Sequence, residues 1–359
     1  MLPGCKWKIA TSLSVLALLA AAASPSAAQD EAAASEEPVT WAPAPNSVVN
    51  PSENRDLNAW LSYRGKFTEP SVDQHLDDPV LKGAIDVHAH FGPDVFDRQW
   101  DAFEIAKIAH ERGMRGLVFK NHWTESAGLA YLVRKYDDVP GLEVFGGLAL
   151  NATVGGINPQ AVRYFAEVEG GFAKIVWMPT HDSKHEVEFL KQERPYVIVS
   201  KDGELLPSVL EVLDLIAQYK LTLATGHVDA PEMVQIVEEA RKRGIDRIIV
   251  THPEMGPMFT DPTMEQLKHV ADMGAYVEIT ASELIGRNRD IAVSALKTLG
   301  PAHCIVSTDS GLVGSHNHAD ALVLAARVLR EEGFTEDQLN ALFKDNPAKA
   351  LGLPLLPHG

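Results

Sequence analysis

Gly83-Ala84-Ile85-Asp86-Val87-His88-Ala89-His90-Phe91-Gly92-Pro93-Asp94 is the stretch whose reading decides the fold. An apolar strand runs into a His-x-His pair and breaks at Gly92-Pro93. Side chains alternate along a strand, so Asp86, His88 and His90 are expected on one face and Ile85, Val87 and Ala89 on the other. Two imidazoles at the end of a strand can grip one metal ion. The pair alone is weak evidence: with 14 histidines in 359 residues, chance supplies a His-x-His roughly once in two such chains, and a second stands at His316 and His318.

Downstream, strand-like and helix-like segments alternate. Arg115–Lys120 reads as a second strand, Glu143–Leu148 as a third and Phe172–Met178 as a fourth. Leu221–Thr225, Arg247–Thr251, Tyr276–Thr280 and Cys304–Thr308 complete eight. Their apolar runs are short and nearly continuous, as in strands covered on both faces. Between them lie amphipathic stretches. One carries Met233, Ile236, Val237 and Ala240 on a single face, with Asp229 and Pro231 at its start and Gly244 at its stop. Eight such units predict an α/β fold, a (β/α)8 TIM barrel. An open doubly wound sheet would want a Gly-rich phosphate turn after the first strand, and His88–Pro93 is not one. Tyr196–Val199 and Glu204-Leu205 flank Ser200-Lys201-Asp202-Gly203, a β-hairpin insertion after strand 4.

Ahead of the barrel, residues 1–28 read as a signal peptide. Lys6 and Lys8 are basic, Ile9 to Ala23 is apolar, and Ser26-Ala27-Ala28 is a small-residue cleavage site. About 15 apolar residues are short for a membrane span. The expected destination is periplasmic or secreted, with no stable membrane anchor after cleavage. Residues 29–80 form a linker and short N-terminal extension. The part up to about Pro51 is rich in Ala, Glu, Pro and Ser and reads as a tether, while Trp60 and Tyr63 offer apolar groups that can pack on the body. Residues 81–359 are the barrel. Loss of the leader removes two lysines and no acids, moving the formal charge from −17 to −19. Such an acidic chain argues against nucleic acid or an anionic membrane as a partner and says nothing positive about the substrate, which is expected to be a small molecule. Association into a homo-oligomer is compatible with all of this. Only Cys304 remains in the mature chain, so no internal disulfide forms.

The polar residues at the strand ends carry the chemistry. The first strand ends in His88 and His90, the fifth runs into His227, the sixth into His252 and the eighth into Asp309, while the fourth carries Lys174. In a barrel these ends converge on one mouth. Each histidine alone is more often a hydrogen-bonded core or loop residue. Jointly they point to a metal site, because burying so many polar groups without a shared partner is costly. Imidazole and carboxylate suit Zn²⁺ first, then Mn²⁺, Fe²⁺ or Co²⁺.

The order His-x-His, Lys, His, His, Asp on strands one, four, five, six and eight resembles the amidohydrolase superfamily of metal-dependent hydrolases. The closing Asp345–Leu353 is similar to that superfamily's C-terminal segment, and the likeness covers residues 83–353. The runs Phe172–Thr180 and Phe119–His122 resemble an uncharacterised barrel-only branch. The resemblance implies one or two ions. His88, His90 and Asp309 would bind the more buried one, and His227 and His252 would bind the second or orient substrate. Lys174 would be an N6-carboxylysine bridging the pair, and its apolar neighbours favour the neutral amine that reacts with carbon dioxide. Lys120 also ends a strand and could take that part or neutralise an anionic substrate. Lys174 fits better by its sequence setting, although an ion pair with Asp86 is a bland alternative. Asp309 would be the general acid/base, taking the proton of a metal-activated water that attacks a C–N, C–O (amide, lactone, ester) or P–O bond. Lys120, His122, Trp177, His181 and Arg287 are substrate-binding candidates, with Trp123, His316 and His318 behind them. The alternatives are a one-metal decarboxylase (lyase) of an aromatic acid and a non-catalytic metal- or ligand-binding barrel.

Overall fold

The structure is a computed structural model that describes residues 47–49 and 73–357. The leader, most of the tether, Trp60 and Tyr63 lie outside the described residues. Eight buried apolar runs form the barrel strands: β1 (Ile85–His90), β2 (Gly116–Lys120), β3 (Glu143–Ala149), β4 (Ala173–Trp177), β5 (Thr222–Ala224), β6 (Ile248–Val250), β7 (Tyr276–Thr280) and β8 (Cys304–Ser307). They pair in chain order, every neighbour parallel. The ends of the sheet meet where the Asp309 N–H donates to His88 O at 3.0 Å and the His90 N–H to Ser310 O at 3.1 Å. The result is the nearly closed TIM-like barrel that the alternating pattern predicts.

A helix follows each strand: α1 (Ala102–Glu111), α2 (Ala127–Tyr136), α3 (Pro159–Ala166), α4 (Pro207–Tyr219), α5 (Ala230–Lys242), α6 (Met264–Asp272), α7 (Arg289–Leu299) and α8 (His318–Glu331). α5 shows why they form. Asp229 accepts the Glu232 N–H, Pro231 sits in the first turn, and Met233, Ile236, Val237 and Ala240 are buried as their spacing requires. One apolar layer lies between strands and helices. A second fills the barrel interior with Ile85, Val118, Phe145, Ile175, Ala224, Ile249 and Ile305, and Ala348, Ala350 and Leu351 of the C-terminal segment join it.

β1 departs from simple alternation. Ile85 and Val87 belong to the interior layer, whereas Ala89 packs in the outer one. The pairing with β2 shifts register between Asp86 and Ala89, a β-bulge. Its cause is visible in the hydrogen bonds. The His88 N–H turns to the Asp86 carboxylate at 3.1 Å, and that carboxylate also takes the N–H and hydroxyl of Thr308. The bulge resets the phase, so Val87 and the two histidines all face inward.

The insertion after β4 holds the expected hairpin, but its first arm is Ser200-Lys201 and not Tyr196–Val199. Ser200-Lys201 pairs antiparallel with Glu204-Leu205 around Asp202 and Gly203, whose φ of 53° and 84° suits a two-residue primed turn. Parts of the 29–80 extension are seated on the body. Val48-Val49 adds a strand to Tyr196-Val197. The N–H groups of Gln74 and Leu76 donate to the buried Asp320 carboxylate at 2.7 and 2.9 Å. Among the described residues no helix is long and apolar enough to cross a membrane.

Candidate metal centre

A cavity of about 230 Å³ opens at the C-terminal ends of the strands, with His90, His227, His252, Lys120 and Asp309 on its walls. Two backbone devices deliver these groups. Gly226, at φ +65°, lets the chain turn out of β5, and a Cβ there would collide with the carbonyl oxygens of Met178 and Pro179. His227 then donates its N–H to Pro179 O at 2.8 Å. Asp309 sits at φ 51°, a left-handed conformation that aspartate tolerates better than most residues.

His88 is fully buried. Its Nδ1 lies 3.0 Å from Glu278 Oε1 and donates to it, which turns Nε2 toward the cavity; burial and Lys120 lower the pKa of the ring, but Asp309 and Glu278 outweigh them and raise it. Lys120 Nζ lies 2.8 Å and Asp309 Oδ1 3.0 Å from that Nε2. Glu278 also takes the Ser307 hydroxyl and the His252 N–H. Burial raises the pKa of Glu278, but His88, His252 and Ser307 outweigh it and bring the value down to about 2. Burial likewise works against ionised Asp309, yet His88 and His90 hold it well below the ordinary carboxylate range. The Lys120 ammonium rests 5.2 Å from the Trp177 ring centroid. Burial pushes its pKa down to about 8, against the pull of Asp309 and Glu278.

A second cluster stands on the opposite wall. Ser183 caps the short helix Lys184–Phe189 and so places Glu186 in its first turn. The Glu186 carboxylate is shared: Oε1 lies 2.7 Å from His181 Nδ1 and Oε2 lies 2.7 Å from His227 Nδ1. Both rings therefore carry their proton on Nδ1 and keep the Nε2 lone pair. His227 Nε2 and His252 Nδ1 are buried with no hydrogen-bond partner. Burial lowers the pKa of His227 to about 3 and of His252 to about 4, keeping both neutral as ligands must be. His122 is held by Thr180 at 2.9 Å, with its ring 4.7 Å from that of His90 and 4.2 Å from that of His181.

These residues fit a cation. Potential ligand atoms of His88, His252 and Asp309 lie within 4.8 Å of one another, as do those of His181, Glu186 and His227. With the Asp94–Arg98 pair set aside, the carboxylates of Asp309, Glu278 and Glu186 face one ammonium, Lys120. A divalent ion answers both the orphaned imidazole nitrogens and this surplus of negative charge.

The strand-end residues His88, His90, His227, His252 and Asp309 thus meet, joined by Lys120, His122 and His181. Trp177 lies beneath them, its ring 5.8 Å from that of His88. Two expected residues are elsewhere. Lys174 is the second residue of β4, where the pairing with β3 shifts register. Its ammonium lies 5.0 Å from the Phe145 ring centroid, in the field of Arg247, Glu143 and Arg134. A carboxylysine there would have no ligand to bridge. Arg287 is exposed and does not line the cavity. Sequence reading passed over Glu186, Glu278, Asp94 and Arg98. Glu278 had a signal: it is the lone charge in the apolar run Tyr276–Thr280, and a buried carboxylate needs partners.

A family model described as a family of unknown function, DUF6282, matches residues 83–278. No curated protein matches the chain in sequence. Among solved structures, an amidohydrolase from Pseudomonas aeruginosa is similar at 12% identity and TM-score 0.54, over 76% of this chain and 98% of that one. An amidohydrolase from Burkholderia multivorans with bound zinc is similar at 13% identity and TM-score 0.53, over 76% and 100%. The phosphotriesterase homology protein from Escherichia coli, complexed with phosphate in its active site, is similar at 17% identity and TM-score 0.52, over 76% and 99%. The barrel shares the fold of these proteins.

Proposed function

The chain belongs to the DUF6282 family, whose function is unknown, and from its own residues we propose that it is an exported metal-dependent hydrolase of a small molecule. The observation that carries this reading is the convergence of unpartnered, neutral imidazole nitrogens with one ionised carboxylate at the barrel mouth. His88, His252 and Asp309 would hold one ion, and His181 and His227 present lone pairs for a second. Zn²⁺ is the first choice for this donor set, and zinc is present in the Burkholderia multivorans protein of the same fold. A bound divalent ion lowers the pKa of a water toward about 7 and polarises the substrate's carbonyl or phosphoryl oxygen.

The protein's own groups do the rest. Asp309, oriented by His90 Nε2 at 3.1 Å, accepts the proton of the attacking water and returns it to the leaving group. Lys120 places positive charge beside Asp309, where negative charge develops on the substrate. Phe96, Met255, Phe259 and Leu312 give the cavity apolar walls that exclude water. The scissile bond is C–N, C–O or P–O. The leader at residues 1–28 supports export.

Elemental analysis of the purified protein, with a panel of lactones, amides, phosphoesters and aromatic acids, tests the proposal. Bound transition metal and hydrolysis that Asp309→Asn abolishes are expected. A metal-free protein with no hydrolysis after zinc loading overturns it. The displacement of Lys174 from the mouth favours one second reading. A bridging lysine was the argument against a one-metal lyase, and with it gone a single ion at His88, His252 and Asp309 with loss of carbon dioxide from an aromatic acid would identify that reaction instead.

A further inference from the structure

We infer that the substrate of this site carries an uncharged, apolar arm about the size of a single ring, and that Phe96 and Phe259 select it. The inference rests on the metal-dependent reading above and deepens it. The cavity has two sides of different chemistry. The strand ends and the residues just past them supply its polar groups, while Phe96, Met255, Phe259 and Leu312 line it from the loops after β1, β6 and β8. Its volume of about 230 Å³ lies below the roughly 300–1,000 Å³ of a pocket for a drug-sized ligand, so the scissile group leaves room for one ring or a short chain beside it. Phe96 meets the rings of His181 and His122 edge-on, with centroids 5.3 and 6.2 Å apart. Phe259 meets those of His227 and His252 edge-on at 4.9 and 5.2 Å. Substrate atoms next to those imidazoles therefore lie against one phenyl ring or the other.

Charge decides what the arm can be. Among the described residues Arg98 and Lys120 are the cations that line the cavity, and both are engaged. The Arg98 Nε and Nη2 both lie 2.7 Å from Asp94 Oδ2, and the side chains of the pair are 3% and 1% exposed. Lys120 Nζ lies 2.8 Å from His88 Nε2, at the reacting end of the cavity. A carboxylate on the arm would leave water for apolar walls with no free cation to meet it, which is costly, whereas an apolar group gains from the same burial. The walls are also held in place before substrate arrives. The Gln99 N–H donates to Gly311 O at 3.0 Å and the Val313 N–H to Asp97 O at 3.2 Å, which ties the Phe96 loop to the Leu312 loop. On the other side His185 Nε2 donates to Pro257 O at 2.7 Å and the Asn288 amide to Met255 O at 3.2 Å. Such preorganisation spares the cost of ordering the loops on binding. Lactones, esters and amides with an apolar arm fit this mouth, and substrates charged at the end away from the scissile bond do not.

Three hydroxamates test this by calorimetric titration of the zinc-loaded protein, because a hydroxamate anchors on a metal through its two oxygens and leaves its arm to report on the walls. Acetohydroxamate has no arm, 4-methylbenzohydroxamate has an apolar one, and 4-carboxybenzohydroxamate has the same ring with a charge at its end. The methyl probe is expected to bind about tenfold or more tighter than acetohydroxamate and about tenfold or more tighter than the carboxylate probe. Phe96→Ala and Phe259→Ala should each weaken the methyl probe about 3- to 10-fold and leave acetohydroxamate unchanged, which shows that the fold and the metal persist, while Phe96→Leu and Phe259→Leu should keep most of the affinity. Asp94→Asn releases the Arg98 charge and should strengthen the carboxylate probe about tenfold. Equal binding of the two ring probes by wild type, no advantage over acetohydroxamate, unchanged methyl-probe affinity in both alanine variants, or an unchanged carboxylate probe in Asp94→Asn overturns the inference. If the protein takes up no zinc and binds none of the three, the proposed function fails and this inference with it; metal and acetohydroxamate bound without a preference among arms sinks the inference alone.

Discussion

The two ends of the barrel each set a lysine against an aromatic ring. Lys120 lies 5.2 Å from the Trp177 centroid and Lys174 lies 5.0 Å from the Phe145 centroid. Burial lowers the pKa of both. Their surroundings differ. Lys120 is the last residue of β2 and feels Asp309 and Glu278; Lys174 is the second residue of β4, between Arg247, Glu143 and Arg134. A strand rises about 3.3 Å per residue, so the three steps from Lys174 to Trp177 are about 10 Å, enough to separate floor from mouth. Height along the strand, and not the apolarity of the neighbours, selects the lysine that meets the ligands.

The sharpest way to break this comparison is to remove each ammonium. Lys120→Met should lower kcat/KM about 100-fold or more, on the order of 3 kcal/mol of transition-state stabilisation. A loss of that size from Lys174→Met instead would reverse the assignment. Glu278→Gln touches the mouth through the His88 ring and the His252 N–H and should weaken metal affinity about tenfold, read by chelator competition.

Asp320 sharpens the contrast from outside both ends. Burial would raise its pKa, but the N–H groups of Leu76 and Gln74 and the Arg112 guanidinium outweigh that and hold it below the ordinary 3.8. Asp320→Asn should therefore cost about 1–3 kcal/mol of stability at neutral pH and leave kcat alone. A carboxylate with a depressed folded pKa contributes fully above its unfolded pKa and loses the contribution as pH falls through the folded one. The Tm gap between wild type and variant should accordingly narrow from about pH 6 to about pH 3. A gap that widened on acidification would show that Asp320 does not act as an ionised acceptor. The smallest effect is expected at the floor, where Lys174→Met should keep kcat/KM within about twofold, as substitutions outside the reacting site do.

Much of this was legible in the sequence, and what was not has a physical cause. Eight apolar runs gave away the strands because a parallel barrel buries both faces. His88, His90, His227, His252 and Asp309 could be read as one site because topology brings strand ends together across more than two hundred positions. Facing was less legible at β1, where the Asp86 carboxylate captures the His88 N–H and creates a bulge that alternation does not foresee. Lys174 misled for the reason given above: its apolar context was real but not diagnostic. Glu186 and Arg98 stayed hidden because each enters from a loop or short helix whose course depends on tertiary packing.

Glu186 grips two rings with one carboxylate. Loss of either imidazole frees an oxygen and loosens the other ring's anchor, so a double-mutant cycle between His181→Ala and His227→Ala should show a coupling of about 0.5–3 kcal/mol, as for residues sharing one network. Any substrate that tugs on His181 is thereby felt at His227, and the two walls of the mouth answer as a single lever.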